Sequence, residues 1–576
     1  MREEKISAPT AAASFAARHQ QHFSSSALSH KASSSAYNHD EDALIVSPEA
    51  LLAVTKAVHR EFPFLMDVCG VDYPEREQPS EVVYHFANPE QGKRLRVKVP
   101  LAPEETLPSV TSIYKAADWF EREAYDMFGI IFTGHPKLRR ILCHEEFVGH
   151  PLRKSYQANH NQSLSTPLEH TFAHEQAAMV GAKDQDYLAD KVWINIGPAH
   201  PATHGTLRFM AVLAGETIEK VDVEIGYLHR CFEKMAETHT YTQVIPYTDR
   251  LNYCSAPMNN NAWCRTIEKM LGIIAPPRAQ AMRVILDEFS RCIDHFVCII
   301  TQALDLGGFT NFWLGMRARE AVYTLFEKLC GARLTVSLAR VGGMGFNLPL
   351  GWEKEAREVC KIILQAQDEI HILCTNNRIF RKRMEGVTAI SVPEAINWGF
   401  TGPCLRAAGA PRDLRKDQPY SGYEHYDFSI PIGSTGDCYD RYLVRMEEIK
   451  QSVRIIEQAL SHLPGGPIIV DDRRVATPPK QEVYGNIEGL MNHFMKIIND
   501  IQPPVGEEVY HPSEGANGEV GFYVIADGSS KPYRVKCRPP CFAIFQAFPQ
   551  LLKGHMLADA IAALGTINII AGELDR

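Results

Sequence analysis

Six stretches between residues 256 and 499 of this 576-residue chain space their apolar residues with helical periodicity: 256–271, 283–304, 318–329, 353–376, 441–461 and 484–499. Several are apolar over most of their circumference, and a helix of that kind has to be surrounded by protein. The pattern predicts a buried helical bundle rather than a set of surface helices. None of these runs reaches the ~18 consecutive apolar residues of a membrane-spanning helix. The nearest approach, at 296–304, is interrupted by Thr301 and Gln302 and gives way to Asp305.

The bundle does not account for the whole chain, which is too long for one compact domain. Ahead of it, residues 42–155 read as a small α+β domain, with a helix at 51–62, strands at 65–71 and 82–86, and a second helix at 116–128. That second helix is dense in charge and aromatics and runs into a basic loop, 135–140, so the two read as docking surface. Residues 1–41, rich in Ser, Ala and His without periodicity, predict a disordered tail, and Glu3 and Glu4 argue against a signal or transit peptide. Residues 156–188 lose periodicity and read as a linker. The remainder, 189–576, opens with strands at 192–196 and within 206–225, continues through the bundle, and returns to β signals at 521–526 and 533–537 before a last helix at 558–565. The fold class is α+β, a helical-bundle core with peripheral sheet joined to a smaller α+β domain.

Composition removes whole classes of function. A formal net charge of −9 is the wrong sign for a nucleic-acid footprint. The 14 cysteines are scattered singly, with no CxxC pair, whereas zinc and iron–sulfur sites need thiolates clustered at short offsets. Cysteines so placed read as small buried hydrophobes in a reducing compartment.

Three short stretches carry chemistry. The first is a Gly- and Pro-punctuated loop, 197–205, holding His200 and His204; the second is 249–253, ending in Tyr253; the third is 303–308, where Asp305 follows a strongly apolar helix. Each also has an ordinary structural reading. The histidines could satisfy loop carbonyls, Tyr253 could be an interface aromatic, and Asp305 could cap the next helix. Spacing alone does not bring the three together.

The run GPAHPATHGTLR (197–208) resembles the signature loop of the D subunit of respiratory complex I, a family related to the large subunits of nickel–iron hydrogenases. The similarity continues through IGYLHRCFEK (225–234), DRLNY (249–253), PPRAQ (276–280), ALDLGG (303–308), GARL (331–334), GDCYDRYLVRMEE (436–448), DGSSKPYRVK (527–536), KGHMLAD (553–559) and GELDR (572–576). Residues 119–142 and 149–154 resemble the C subunit of the same complex. The chain is thus identified as a member of the fused C/D subunits of bacterial proton-pumping NADH:quinone oxidoreductase.

The resemblance implies a hydrogenase-large-subunit-like second domain on the cytoplasmic side of the cell membrane, with quinone as substrate and electron transfer coupled to proton translocation. It implies that His204 and Tyr253 grip the quinone headgroup and that Asp305 pairs with His204. Arg230 matches an arginine close to the terminal [4Fe–4S] cluster, which belongs to the neighbouring B subunit, so this chain binds no metal or cofactor of its own. The other implied partners are the I and E/F/G subunits of the peripheral arm and the H and A membrane subunits.

Two positions depart from the family pattern. Cys231 stands where glycine is usual, and Thr335 stands where many members carry a histidine beside the cluster. The main rival, a membrane-bound hydrogenase, would need four thiolates from two CxxC motifs; the first region offers only Cys231 and the C-terminus none. A scaffold that has lost its chemistry would not need to keep His204, Tyr253 and Asp305 together.

Overall fold

Alternating apolar residues between 28 and 101 build a five-stranded sheet in the order β1-β2-β5-β4-β3, from β1 (Leu28–Lys31), β2 (Ala43–Val46), β3 (Phe64–Asp72), β4 (Ser80–Asn88) and β5 (Lys93–Leu101). Strands β2 and β5 are parallel and the other neighbours antiparallel. Helices α1 (Ala11–His19), α2 (Leu51–Glu61) and α3 (Ala117–Phe128) accompany the sheet, with α3 against β3. The computed structural model describes residues 10–19, 22–32, 42–160, 162–164 and 191–576.

The expectation of a disordered tail over 1–41 is corrected for the described part of it. Ala12, Phe15 and Ala16 form one apolar stripe of α1, buried in the main core, and β1 adds an antiparallel edge to β2 through Leu28 opposite Val46. A single short stripe at i, i+3, i+4 spacing is enough to seat one helical face. The surrounding Ser and His mask it in the composition. Most of the expected linker at 156–188 lies outside the described residues.

The charges of helix α3, read as docking surface in the sequence, turn inward in the fold, and those of strand β5 do the same. In KRLRVKVPL the basic residues alternate with apolar ones, so the polar face should meet water. It meets a second sheet instead: Arg94 pairs with Glu519 at 2.8 Å and Lys98 with Glu508 at 2.7 Å. Helix α3 is likewise no docking surface. Its Glu121, Arg122, Glu123 and Asp126 are all buried. Asp126 accepts hydrogen bonds from the backbone N–H groups of Ile141, Leu142 and Cys143, and Glu123 pairs with Lys536 at 2.6 Å and with the terminal Arg576 at 3.1 Å. The basic loop is tied to β8, the strand Thr217–Glu224, because Lys137 and Arg139 each reach Asp222 at 2.8 Å.

The C-terminal part holds, among the described residues, a short two-stranded sheet, Ala339–Arg340 with Gly343–Met344, and two three-stranded antiparallel sheets. One contains β6 (Val192–Ile196), β7 (Arg208–Ala214) and β8 (Thr217–Glu224), with β7 central. The other contains β9 (Glu508–Glu514), β10 (Glu519–Ala526) and β11 (Pro532–Arg538), with β10 central. Strand β9 is absent from the sequence expectation, because Pro512 interrupts it; it tolerates the proline as an edge strand.

Two short helices, α4 (Phe232–Thr238) and α5 (Tyr241–Thr248), lead into the bundle. Its axis is the 29-residue α7 (Pro277–Asp305), flanked by α6 (Ala256–Leu271), α8 (Phe309–Cys330), α10 (Cys438–Ser461) and α12 (Leu557–Ile567), while α9 (Trp352–Ile370) packs on α8 and α10. The expected run 484–499 divides into two helices, because the Asn486 side chain accepts from the Gly489 N–H at 2.6 Å and starts α11 (Ile487–Asn499) afresh. Among the described residues no helix is long and apolar enough to cross a membrane.

Candidate functional site

The 197–205 loop joins β6 to β7, and its conformation is set from within. Thr203, fully buried, donates its hydroxyl toward the carbonyls of His200 and Gly205 at 2.6 and 2.7 Å. His200 is used locally, its Nδ1 accepting from the Ala202 N–H at 3.2 Å. His204 is not. It adopts a left-handed backbone (φ 55°) at the end of the 3-10 turn Pro201–Thr203, and its Nε2 lies 2.5 Å from Asp305 Oδ2. Both side chains are largely covered, at 16% and 18% exposure.

Asp305 is the last residue of α7, and the next helix is capped at Gly308, so Asp305 caps nothing. The macrodipole makes that end of α7 negative, which disfavours an acid there by about 0.3–1 kcal/mol. Stability therefore does not explain Asp305, whereas its pairing with His204 does. Three residues earlier, Gln302 is 1% exposed, and neither polar atom of its amide finds a hydrogen-bond partner among the described residues. A buried amide left open in this way marks a place where another polar group belongs. His204 and Gln302 both press on Gly565 in α12, where an added Cβ would stand 3.4 Å from the His204 ring and 3.0 Å from the Gln302 Cβ.

The motif that carries Tyr253 reaches the same C-terminal segment through its neighbours, since a Cβ added to Gly572 would stand 2.5 Å from the Arg250 carbonyl oxygen and 2.7 Å from that of Leu251. Tyr253 starts the 3-10 turn Tyr253–Ser255, capped by Asn252, whose side-chain oxygen accepts from the Cys254 N–H at 3.1 Å. The ring is half-buried against the main core, and the hydroxyl has no hydrogen-bond partner among the described residues. Burial first, then the Cys254 and Cys541 thiols and the Asp294 carboxyl, push its pKa up to about 12, with Arg230 opposing. The hydroxyl thus keeps its proton at neutral pH and can offer it in a hydrogen bond.

Arg230 gives its guanidinium to the carbonyls of Arg250 and Gly572, at 2.6 and 2.9 Å. It does not pair with Glu233, which is held by Arg534, Lys536 and Arg576. The structure therefore joins His204 to Asp305 directly, holds Arg230 against Gly572, and brings the Tyr253 motif to the same segment through Arg250 and Leu251. No hydrogen bond links Tyr253 to the His204–Asp305 pair among the described residues.

Both departures from the family pattern fall nearby. Cys231 follows Arg230 in a left-handed backbone (φ 56°), a conformation that glycine adopts without strain. Thr335 lies in a loop tied to the second motif, because Ser337 donates its N–H to Asp249 at 3.1 Å. A cleft of about 910 Å³ between β8 and the 137–147 segment includes Cys231 and Tyr227 but not His204, Tyr253 or Asp305. What sequence reading missed is the layer behind the site: Gln302, Asn252, Asp294 and Asn568. These are polar residues inside helical runs or turns, and only their burial without charge partners singles them out.

Two family models match the chain: the 30 Kd subunit of respiratory-chain NADH dehydrogenase over residues 44–162, and the 49 Kd subunit over residues 305–576. The C/D subunit of NADH-quinone oxidoreductase from Bdellovibrio bacteriovorus is 57% identical over 516 residues, covering 90% of this chain and 91% of that protein. The C/D subunit from Ectopseudomonas mendocina is 38% identical over 92% of this chain and 93% of its own length. The unfused D subunit from Myxococcus xanthus is 48% identical over 71% of this chain and 97% of its own. Matching both halves in one polypeptide, and along nearly all of it, the chain belongs to the family of fused C/D subunits of NADH-quinone oxidoreductase, the respiratory-chain NADH dehydrogenase.

Proposed function

We propose that this chain forms the quinone-reducing site of a proton-translocating NADH:quinone oxidoreductase. The observation that carries the reading is the 2.5 Å contact between His204 and Asp305, a helix-end acid that serves no capping or helix-stabilising purpose. Tyr253 adds a protonated hydroxyl with no protein partner among the described residues, and Gln302 an unmatched amide. A quinone has a carbonyl oxygen at each end of its ring, so donors on separate elements can grip both. Its two-electron reduction takes up two protons, and His204 and Tyr253 are the groups placed to deliver them. The terminal [4Fe–4S] cluster of the B subunit supplies the electrons when the complex is assembled. His204, once deprotonated, leaves Asp305 without its counter-charge, and that altered charge biases the membrane arm toward proton translocation.

The surroundings fit assembly with other subunits on the cytoplasmic face of the membrane. Phe309 and Trp313, just beyond Asp305, are 59% and 60% exposed, and α11 bares Ile487, Phe494 and Ile497. Apolar surface of this extent marks protein interfaces. The B, I, E/F/G, H and A subunits are the partners, Arg230 faces the B-subunit cluster, and the second domain, 189–576, follows the hydrogenase large-subunit plan after a C-like domain at 42–155.

Tyr253→Phe tests the site. In membranes, inhibitor-sensitive NADH:quinone reduction should fall by about tenfold to a hundredfold, the loss of one well-placed donor. NADH oxidation by an artificial acceptor, which takes electrons upstream, should be unchanged. If both activities survive, Tyr253 is not in the quinone site.

Thr335 gives a second expectation. With no imidazole at that position, the midpoint potential of the B-subunit cluster should vary little between about pH 5 and 8. A redox titration showing an ordinary fall with pH would mean that another group supplies the proton.

A further inference from the structure

Behind Tyr253 lies a carboxyl group whose placement costs the fold more than it returns. Asp294, in the middle of α7, is fully buried and has no cation within ion-pair distance among the described residues. Neutral amides hold it instead: Asn252 donates to Oδ2 at 2.7 Å, and Asn568 donates to Oδ1 at 2.6 Å. An acid buried without a counter-charge is an expensive way to join two amides. The carboxyl is therefore kept for something other than stability.

Its two donors show what that is. Asn252 immediately precedes Tyr253 and is fixed three ways: its Nδ2 to Asp294, its Oδ1 from the Cys254 N–H, and its carbonyl from Asn259 Nδ2 at 3.0 Å. Asn568 ends α12, whose Gly565 meets the His204 ring, and takes a left-handed backbone there (φ 60°). One carboxyl thus clamps the tyrosine turn to the segment that floors the histidine. We propose that Asp294 is the positioning residue of the quinone site, holding Tyr253 in register with His204 across the C-terminal segment. The inference rests on the quinone-site reading above. The same carboxyl also stands among the negative groups that keep the Tyr253 hydroxyl protonated.

Asp294→Asn breaks the clamp, because the two amides donate to different carboxylate oxygens and the asparagine turns its own NH2 donor toward one of them. The swap Asp294→Asn with Asn252→Asp restores it. Asn at 294 then donates to Asp at 252 and accepts from Asn568, while Asp at 252 still accepts from the Cys254 N–H. In membranes carrying the full complex, Asp294→Asn should lower kcat for quinone by about tenfold with KM little changed, as displacement of a reacting group does. Added to Tyr253→Phe it should cost less than about a further twofold, because a residue acting through Tyr253 has nothing left to position. The swap should recover most of the rate, with artificial-acceptor activity constant throughout.

A wild-type rate in Asp294→Asn, when Tyr253→Phe is slow, overturns this inference and leaves the site reading standing. The same tenfold loss repeated in the Tyr253→Phe background also overturns it. A wild-type rate in Tyr253→Phe overturns the site reading itself, and this inference with it. Should Asp294→Asn fail to assemble, the swap decides: assembly with normal quinone reduction supports the inference, and assembly with slow quinone reduction overturns it.

Discussion

Asp305→Ala should lower quinone-dependent NADH oxidation by ~10²–10⁴-fold, the range of a lost acid–base partner. The only hydrogen bond of the His204 ring among the described residues is to Asp305, so without that carboxyl nothing orients the ring. The same substitution should leave the fold intact. It removes an acid from the negative end of a 29-residue helix, a change that helix electrostatics favour slightly. The informative result is therefore a large loss of quinone reduction with unchanged assembly and unchanged NADH oxidation by an artificial acceptor. Unimpaired quinone reduction would mean that the pair only ties the 197–205 loop to α7.

Glu288→Gln should do the reverse, removing the protein from the membrane by destabilising it. Glu288 sits in the middle of the bundle with no exposed surface, 3.3 Å from Arg291 and 3.1 Å from Arg415, and it accepts from the Tyr423 and Ser452 hydroxyls at 2.7 Å each. Burial alone would raise its pKa, but the two guanidinium groups and the hydroxyls outweigh burial and hold it at about 2. A glutamine keeps the shape and leaves two buried cations short of a counter-charge, a loss of about 3–5 kcal/mol. The expected result is a sharp drop in thermal inactivation temperature and in the amount of assembled enzyme. The pH dependence has a definite sign. With a folded pKa of about 2, below the ordinary value of ~4.3, the group stabilises fully above that ordinary value and loses its contribution as pH falls toward its folded pKa. Wild type should weaken in that window, and the variant should lack this part of the acid sensitivity.

The bundle was legible because its signal is local. Helical spacing of apolar residues over 283–304 reports α7 whatever surrounds it, and the same holds for α10 and α12. Errors arose where a residue's partner is distant in the chain. The charges of α3 read as surface because Lys536 and Arg576, which neutralise Glu123, lie more than four hundred residues away. The basic face of β5 likewise finds its partners far along the chain, since Glu508 and Glu519 belong to a different sheet. For α1 the signal was present in Ala12, Phe15 and Ala16 but was diluted by its neighbours.

The site divides along the same line. Sequence alone determined the kinds of chemistry available: a two-histidine turn, a tyrosine after Asn252, an acid closing an apolar helix, and thiols too dispersed for a cluster. It also determined the family, because ordered motifs along nearly the whole chain resemble one set of proteins. Only the tertiary structure decided that His204 rather than His200 faces Asp305, that Arg230 binds carbonyls rather than Glu233, and that Asp294 ties the tyrosine turn to the C-terminal segment. The physical reason is that hydrogen bonds and ion pairs act over a few ångströms, whereas His204 and Asp305 are 101 positions apart and Asp294 and Asn568 are 274 apart. Periodicity reports which face of an element is buried, and the packing of those faces selects which polar groups meet.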